Sequence, residues 1–181
     1  MPSRHDTGSR AAQNAALDQY LEHLEYQRRM SAHTVSNYRS DLHQFQDYCD
    51  DCRLHDWASV RHSDVRQFVA DMNRAGKGSS SIQRQLSAIR GFYKYLIRYC
   101  DCESNPADSI KAPKGEKKLP QTLDIEQIDQ LASLPGNDTI EYRDRAIIEM
   151  FYSSGLRLAE LGSIDVDDIA SDNTLRVIGK G

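Results

Sequence analysis

Apolar residues recur every three or four positions through the first hundred residues, which is the spacing of amphipathic helices. We predict four helices that begin at about Ala11, Ser31, Ser63 and Ser80, with serine N-caps at the second and third. Their apolar stripes are, in chain order, Leu17, Tyr20, Leu21 and Leu24; Val35, Tyr38, Leu42, Phe45 and Cys49; Val65, Phe68, Val69 and Met72; Ile82, Leu86, Ile89, Tyr93 and Leu96. Helices of this kind joined by short loops predict a compact bundle.

The helical pattern stops after residue 103. Asn105-Pro106 and Ala112-Pro113 interrupt helix, and the basic, polar residues that follow are typical of a linker. We therefore predict a disordered tail over 1–10, a helical domain over 11–103, a linker over 104–119 and a second region over 120–181.

The second region has a mixed pattern. Asp124 followed by Gln127 predicts a capping box and a helix. Another helix is expected from about Glu141 to Ser153, with a short restart near Arg157, and residues 174–178 have strand composition. A strand followed only by a Gly-Lys-Gly turn has no partner after it, so we expect a truncated mixed α/β domain. The fold class is therefore mainly α.

Composition indicates the cellular location of the protein and the state of its cysteines. No apolar run is long enough to span a bilayer, and the first ten residues carry no signal sequence, so we expect a cytoplasmic protein. The cysteines form one CxxC pair, Cys49 with Cys52, and one CxC pair, Cys100 with Cys102. The second spacing does not match a zinc ribbon, so we expect reduced thiols and no metal or other cofactor.

Charge is unevenly distributed along the chain. The net charge is −4, yet residues 74–118 carry +6 and the remainder carries −10. One face of the fourth predicted helix bears basic and small residues, namely Arg84, Ser87, Gly91, Lys94 and Arg98. Local positive charge of this kind indicates a surface for nucleic acid. The alternative is a helix face that is only solvated.

Several motifs together resemble the tyrosine site-specific recombinases of the phage integrase family, from about Leu17 to the last residue. The motifs are Ser31-x-x-Thr34-x-x-x-Tyr38-x-x-Asp41-Leu42-x-x-Phe45, Ser87-Ala88-Ile89-Arg90-x-Phe92-Tyr93-x-Tyr95-Leu96, Asn105-Pro106, Arg143-Asp144-Arg145-Ala146, Tyr152-x-Ser154-Gly155-Leu156-Arg157-Leu158-Ala159-Glu160-Leu161 and Val177-Ile178-Gly179-Lys180-Gly181. The resemblance implies a SAM-like core-binding bundle followed by the first part of a mixed α/β catalytic domain.

The resemblance also implies roles for individual residues. Arg157 corresponds to the first active-site arginine of such enzymes and Lys180 to the lysine of their catalytic hairpin, while Glu160 lies one helical turn from Arg157 and is expected to orient it. A guanidinium can bridge the oxygens of a reacting phosphoryl group, and a lysine can protonate the departing oxygen. The expected contacts to double-stranded DNA are Lys77, Arg84, Ser87, Arg90, Lys94 and Arg98.

The family's nucleophilic tyrosine, second arginine and histidines correspond to no residue of this chain, so we expect these 181 residues alone to bind DNA without cutting it. The implied biology is resolution of chromosome dimers with a sister recombinase. Three alternatives stay open: an integrase of a phage or mobile element, a DNA-binding module without enzymatic activity, and a helical adaptor that contacts only protein. Without the flanking motif, Arg157 would be an ordinary arginine at a helix start.

Overall fold

The computed structural model describes residues 4–115, 122–133, 138–170, 172 and 174–177, with side chains from Arg10 onward. The chain forms two compact units, Met1–Lys117 and Lys118–Gly181. None of the helices over these described ranges is long and apolar enough to cross a membrane.

The first unit is a helical bundle. Its elements are α1 (Arg4–Glu22), a π-helical turn (His23–Gln27), α2 (Ala32–Asp51), a 3-10 turn (Trp57–Ser59), α3 (His62–Arg74) and α4 (Ser79–Tyr99). The first helix begins at Arg4 rather than near Ala11, so the prediction of a disordered tail is wrong for residues 4–10. That stretch contains no proline, and the Arg10 guanidinium lies 3.0 Å from the Asp50 carboxylate on α2.

The start of α3 also differs from the prediction. Arg61, not Ser63, is the N-cap residue. The Arg61 backbone N–H donates to the carboxylate of Asp64 at 2.8 Å, which satisfies a backbone group that the helix itself cannot pair. Ser31 does cap α2, where its hydroxyl accepts from the backbone N–H of Thr34.

The apolar stripes predicted for the four helices form one core. All of their residues are buried except Tyr38, which is half-buried at its edge. Tyr93 is fully buried at the centre of α4, and its hydroxyl donates to the Trp57 carbonyl at 3.0 Å. This bond satisfies the only polar atom of a large ring inside the core. The helical periodicity of the sequence is therefore confirmed for this unit.

The segment after α4 belongs to the bundle rather than to a linker. Ala107 and Ile110 are buried in the core, and the boundary between the two units follows Lys117. The predicted linker over 104–119 is therefore too long at its start, because prolines stop a helix without preventing the chain from packing. Residues 116–119 of that linker lie outside the described residues.

The described residues of the second unit form three helices and a 3-10 turn. They are α5 (Ile125–Ala132), α6 (Thr139–Ser154), α7 (Leu158–Leu161) and a 3-10 turn (Val166–Asp168). The predicted capping box is present, since the Asp124 side chain accepts from the Gln127 backbone and the Gln127 side chain accepts from the Asp124 backbone. None of the described residues of this unit is buried.

The predicted strand over 174–178 is not formed by its described residues, 174–177. A single antiparallel bridge joins Ile169 to Leu175, and the Ala170 backbone N–H donates to the Thr174 carbonyl at 2.9 Å. The described residues of this segment thus make one bridge to the residues before them instead of a strand. The hairpin expected at Gly179 lies outside the described residues.

Candidate nucleic-acid interface and candidate active-site residues

Helix α4 contributes more buried residues to the core than any other helix, and its opposite face is exposed. Lys94 and Arg98 follow one another on this face at a spacing of four residues, and both are exposed. Lys94 makes no hydrogen bond or ion pair to any residue that the structure describes. Arg98 places its guanidinium carbon 5.5 Å from the centroid of the Tyr99 ring. These two cations are therefore available to an external anion.

Arg84 is held in place by a carboxylate. Its Nε and Nη2 donate to the two oxygens of Asp41 on α2, at 2.8 and 3.0 Å. The Asp41 side chain is 3% exposed, whereas that of Arg84 is 46% exposed. The hydrogen bond to Asp41 raises the pKa of Arg84, which keeps it charged. Two of its five donors are occupied, so the rest of the guanidinium can still face an anion.

Arg90 fastens the segment that follows α4. Its Nε donates to the Ala107 carbonyl at 3.0 Å, and its Nη2 donates to the Ile110 carbonyl. Asn105 adds two hydrogen bonds, because its amide N–H donates to the Arg90 carbonyl at 3.2 Å and its side-chain oxygen accepts from the Ala107 N–H at 3.1 Å. These hydrogen bonds of Arg90 and Asn105 are called the clamp below. The predicted DNA contact at Arg90 thus has a structural role in this conformation.

The remaining predicted contacts on this side are also engaged within the bundle. The Lys77 ammonium donates to the Gln44 amide oxygen on α2, and the Ser87 hydroxyl donates to the Gln83 carbonyl at 2.9 Å. Gly91 allows a close approach, but the approaching group is internal. A Cβ added at Gly91 would lie 2.4 Å from the Tyr20 hydroxyl of α1.

Arg157 lies at the junction of α6 and α7. Gly155 ends α6 in the left-handed conformation, with φ of 62°, and Arg157 then acts as the N-cap residue of α7. The Arg157 backbone donates to one oxygen of Glu160 at 2.8 Å, and its guanidinium donates to the other at 2.6 Å. The pKa of Glu160 is lowered mainly by the hydrogen bond from the Arg157 backbone, and next by the hydrogen bond from the Arg157 guanidinium.

This pairing leaves most of the Arg157 guanidinium open. The Arg157 side chain is 81% exposed, while that of Glu160 is 15% exposed. Glu160 can therefore orient the arginine while other donors remain free for a phosphoryl oxygen. Lys180, the other expected active-site residue, lies outside the described residues.

The four cysteines, all in the described residues, form neither a disulfide nor a metal site. All four are free thiols, and burial raises the pKa of Cys49 to about 12. Over the described ranges, 4–115 and the parts of 122–177 given above, no group of three or more histidine, cysteine, aspartate or glutamate residues could hold a metal ion.

Sequence reasoning missed two partners that decide what the basic residues do. Asp41 was assigned only to a family motif, and Asn105 to a helix stop and a family motif. Asp41 lies next to the apolar stripe of α2, beside the buried Leu42. An aspartate that is buried in this way is usually paired with a cation, so its position is a signal for an ion pair. No comparable signal in the sequence identifies the carbonyl groups that Arg90 contacts.

Two family comparisons match consecutive parts of the chain. Residues 17–99 match "Phage integrase, N-terminal SAM-like domain", and residues 121–181 match "Phage integrase family". The chain belongs to the phage integrase family of tyrosine recombinases. The first match covers the bundle with its basic helix α4, and the second covers the region that contains Arg157.

Curated relatives agree with this assignment. The chain is 43% identical over 169 residues to tyrosine recombinase XerC of Pseudomonas syringae pv. tomato, which is 91% of this chain and 56% of that protein. It is 43% identical over 172 residues to tyrosine recombinase XerC of Azotobacter vinelandii, which is 92% of this chain and 56% of that protein. The chain thus spans little more than half the length of these relatives.

Solved structures share the fold. The structure of the Tn1549 transposon integrase, residues 82–397, in complex with circular intermediate DNA matches 87% of this chain and 52% of that one, with a TM-score of 0.65 and 18% identity. A second structure of this integrase, carrying Y379F and bound to transposon right-end DNA, matches 86% of this chain and 49% of that one with the same TM-score and identity. The sequence expectation of an integrase-type bundle followed by the start of a catalytic domain is confirmed.

Proposed function

We propose that this chain contributes the DNA-binding bundle and the first part of the catalytic region of a site-specific recombinase that acts on double-stranded DNA. The observation that carries the proposal is the similarity to XerC proteins over nine-tenths of the chain, including the segment around Arg157. The exposed cations of α4 supply the binding chemistry.

On the bundle, Lys94 and Arg98 are proposed to contact phosphates directly, with Arg84 beside them. Asp41 fixes the Arg84 guanidinium before DNA arrives, so its ordering costs little on binding. Lys77, Ser87 and Arg90 stay in the proposed surface, but with partners that must be shared or exchanged when DNA binds. Phosphate contacts of this kind position a protein on the duplex without selecting the sequence.

In the catalytic region, Arg157 is proposed to stabilise the negative charge that grows on the phosphoryl oxygens during strand cleavage. Glu160 is the positioning residue, because it holds one side of the guanidinium and leaves the other open. Lys180 is proposed to protonate the departing oxygen. The phosphodiester energy is conserved in a covalent protein–DNA bond, so no cofactor is needed.

The 181 residues alone are proposed to bind DNA without forming that covalent bond. The full reaction is proposed to be strand exchange with a related recombinase as partner in a heterotetramer on DNA, in the cytoplasm, serving chromosome-dimer resolution at cell division. The similarity to the Tn1549 integrase keeps a role in a mobile element as the second candidate.

The proposal is tested by binding the purified chain to labelled duplexes that carry a chromosome-dimer resolution site, the transposon end of a mobile element, or a scrambled sequence. We expect tighter binding to the resolution site, with no 3′-phosphotyrosyl adduct on a suicide substrate. Preference for the transposon end would support the second candidate. Equal affinity for all three duplexes would reduce the chain to a nonspecific DNA-binding module, and an adduct would contradict the proposed inactivity.

A further inference from the structure

A surface groove on the first unit is lined by aromatic side chains. It lies between the end of α1, the π-helical turn and the last turns of α4, and it encloses about 320 Å³. Glu22, His23 and Tyr26 line one side, and Tyr95 and Tyr99 line the other. The groove thus combines four rings with one carboxylate.

The rings hold one another in position. The centroids of His23 and Tyr95 are 5.2 Å apart, those of His23 and Tyr99 are 5.7 Å apart, and those of Tyr95 and Tyr99 are 4.8 Å apart. These are the separations of interacting aromatic pairs. Tyr99 is nevertheless 52% exposed, and Tyr26, which takes no part in these ring contacts, is 73% exposed. Tyr95 and Tyr99 are therefore ordered before a ligand arrives and lose little side-chain entropy on binding.

The backbone that carries His23 and Tyr26 is unusual. Residues His23–Gln27 form a π-helical turn, in which the Arg28 N–H donates to the His23 carbonyl at 3.1 Å. Such turns are rare and occur frequently at functional sites, because the wider turn re-aims the side chains that follow. Here it brings Tyr26 to the same groove as Glu22.

The charge of the groove indicates a cation as ligand. Glu22 is exposed and makes no ion pair with any residue over the described ranges. Both Glu22 and Tyr95 line the groove, and the pKa of Tyr95 is raised chiefly by burial, with the charge of Glu22 as the smallest contribution. Tyrosine faces attract cations, and Tyr99 already has the Arg98 guanidinium 5.5 Å from its centroid. A carboxylate beside the rings disfavours the phosphates of a nucleic acid.

We propose that this aromatic groove binds an arginine side chain of a partner polypeptide. A guanidinium can stack on the tyrosine faces while it donates hydrogen bonds to Glu22. Tyrosine and arginine are also the residues that most often dominate protein–protein interfaces. None of the proposed DNA contacts is among the residues that line the groove, and Arg98 is the one that lies beside one of its rings, Tyr99.

The direct test is an NMR titration of the full chain, labelled on its tyrosine rings, with N-acetyl-L-arginine N-methylamide. The matched probe is the citrulline derivative, which has the same shape without the charge. We expect the signals of Tyr26, Tyr95 and Tyr99 to shift with arginine and not with citrulline. Tyr142 and Tyr152, which are 62% and 58% exposed in the second unit, are internal controls and should not respond.

Two variants identify the groove as the site. Glu22→Gln keeps the shape of the side chain and should weaken arginine binding about two- to fivefold, while Tyr99→Leu keeps apolar bulk and should weaken it about fivefold or more. Both should retain the circular dichroism spectrum of the original chain.

Three results would overturn the proposal: equal shifts with arginine and citrulline, no shift of the three rings with arginine, or undiminished binding by Glu22→Gln. A parallel titration with a short oligothymidylate tests whether the groove binds nucleobases instead of arginine. Ring shifts with the oligonucleotide but not with arginine would mean that the tyrosines stack on nucleobases, which also contradicts the proposal.

Discussion

The two units of this chain are stabilised in different ways. In the bundle, every helix contributes fully buried side chains, and polar groups such as the Asp41 carboxylate are paired inside or at the edge of the core. In the second unit, none of the described residues is buried, and its turns are held by caps such as Asp124, Asp138 and Arg157 with Glu160. Local capping can define helix ends, but tertiary packing supplies most of the stability of a fold.

The largest difference in unfolding free energy between the two units is expected from substitution of one phenylalanine in each. Phe45 is fully buried, so Phe45→Ala should cost about 3–5 kcal/mol of unfolding free energy. Phe151 is only half-buried on α6, so Phe151→Ala should cost about 1 kcal/mol or less. Trp57, the only tryptophan of the chain, reports on the bundle in urea titrations of Phe45→Ala, and amide exchange of α6 measures the effect of Phe151→Ala. An equal loss of free energy in both measurements would refute the distinction between the units.

The next contrast concerns ion pairs. Arg84→Gln leaves the buried Asp41 carboxylate without its cation and should cost about 2 kcal/mol, less than for a fully buried pair because Arg84 is half-exposed. Arg145→Gln removes an exposed pair with Glu149, at 2.9 Å, and should cost under about 0.5 kcal/mol. Urea unfolding tests the first substitution, and amide exchange of α6 tests the second. A loss of α6 protection with Arg145→Gln equal to the bundle's loss with Arg84→Gln would contradict this ranking.

A smaller effect is expected at the clamp after α4. Asn105→Ala removes two hydrogen bonds, to the Arg90 carbonyl and from the Ala107 N–H, and should cost about 1–2 kcal/mol. Hydrogen exchange should accelerate over 105–110 before it accelerates in the helices. Ser104→Ala, one residue earlier, is the control. Unchanged exchange of the segment in Asn105→Ala would show that buried Ala107 and Ile110 hold it without the clamp.

The smallest effect is a pH dependence confined to the turns of the second unit. The pKa of Glu160 is lowered chiefly by the Arg157 N–H, that of Asp168 by the Asp165 N–H, and that of Asp172 by the Thr174 hydroxyl. A lowered folded-state pKa means that each contact stabilises above the ordinary carboxyl pKa of about 4 and is lost as pH falls through the lowered value. The backbone N–H groups of Arg157, Asp165 and Thr174 donate to these three carboxylates, so their amide shifts should move in acid. Shifts that stay constant to about pH 2 would contradict the assignment.

Sequence periodicity predicted the bundle well because burial there follows helix geometry. The stripes through Leu42, Phe45 and Tyr93 needed no information beyond the spacing of apolar residues. It failed where long-range contacts decide the outcome. The packing of Ala107 and the pairing of Leu175 with Ile169 depend on partners that no local pattern specifies.

The candidate interface shows the same division. The sequence identified α4 as a basic helix, but it could not separate free cations from occupied ones, since both carry the same charge on the same face. Arg84 and Arg90 have internal partners, whereas Lys94 remains available. For Arg157, the family motif carried the interpretation, because an arginine that pairs with Glu160 at a helix start is common in helices without catalytic function.

The central claim is that Lys94 and Arg98 contact DNA phosphates, and the salt dependence of duplex binding tests it most directly. Removing both charges with Lys94→Gln and Arg98→Gln should lower the slope of log K against log salt by about 2, one unit for each lost phosphate contact. The control removes two other exposed cations of the bundle with Arg53→Gln and Arg61→Gln, and should leave the slope close to that of the original chain. A slope unchanged by the α4 substitutions, or lowered equally by the control, would contradict the claim.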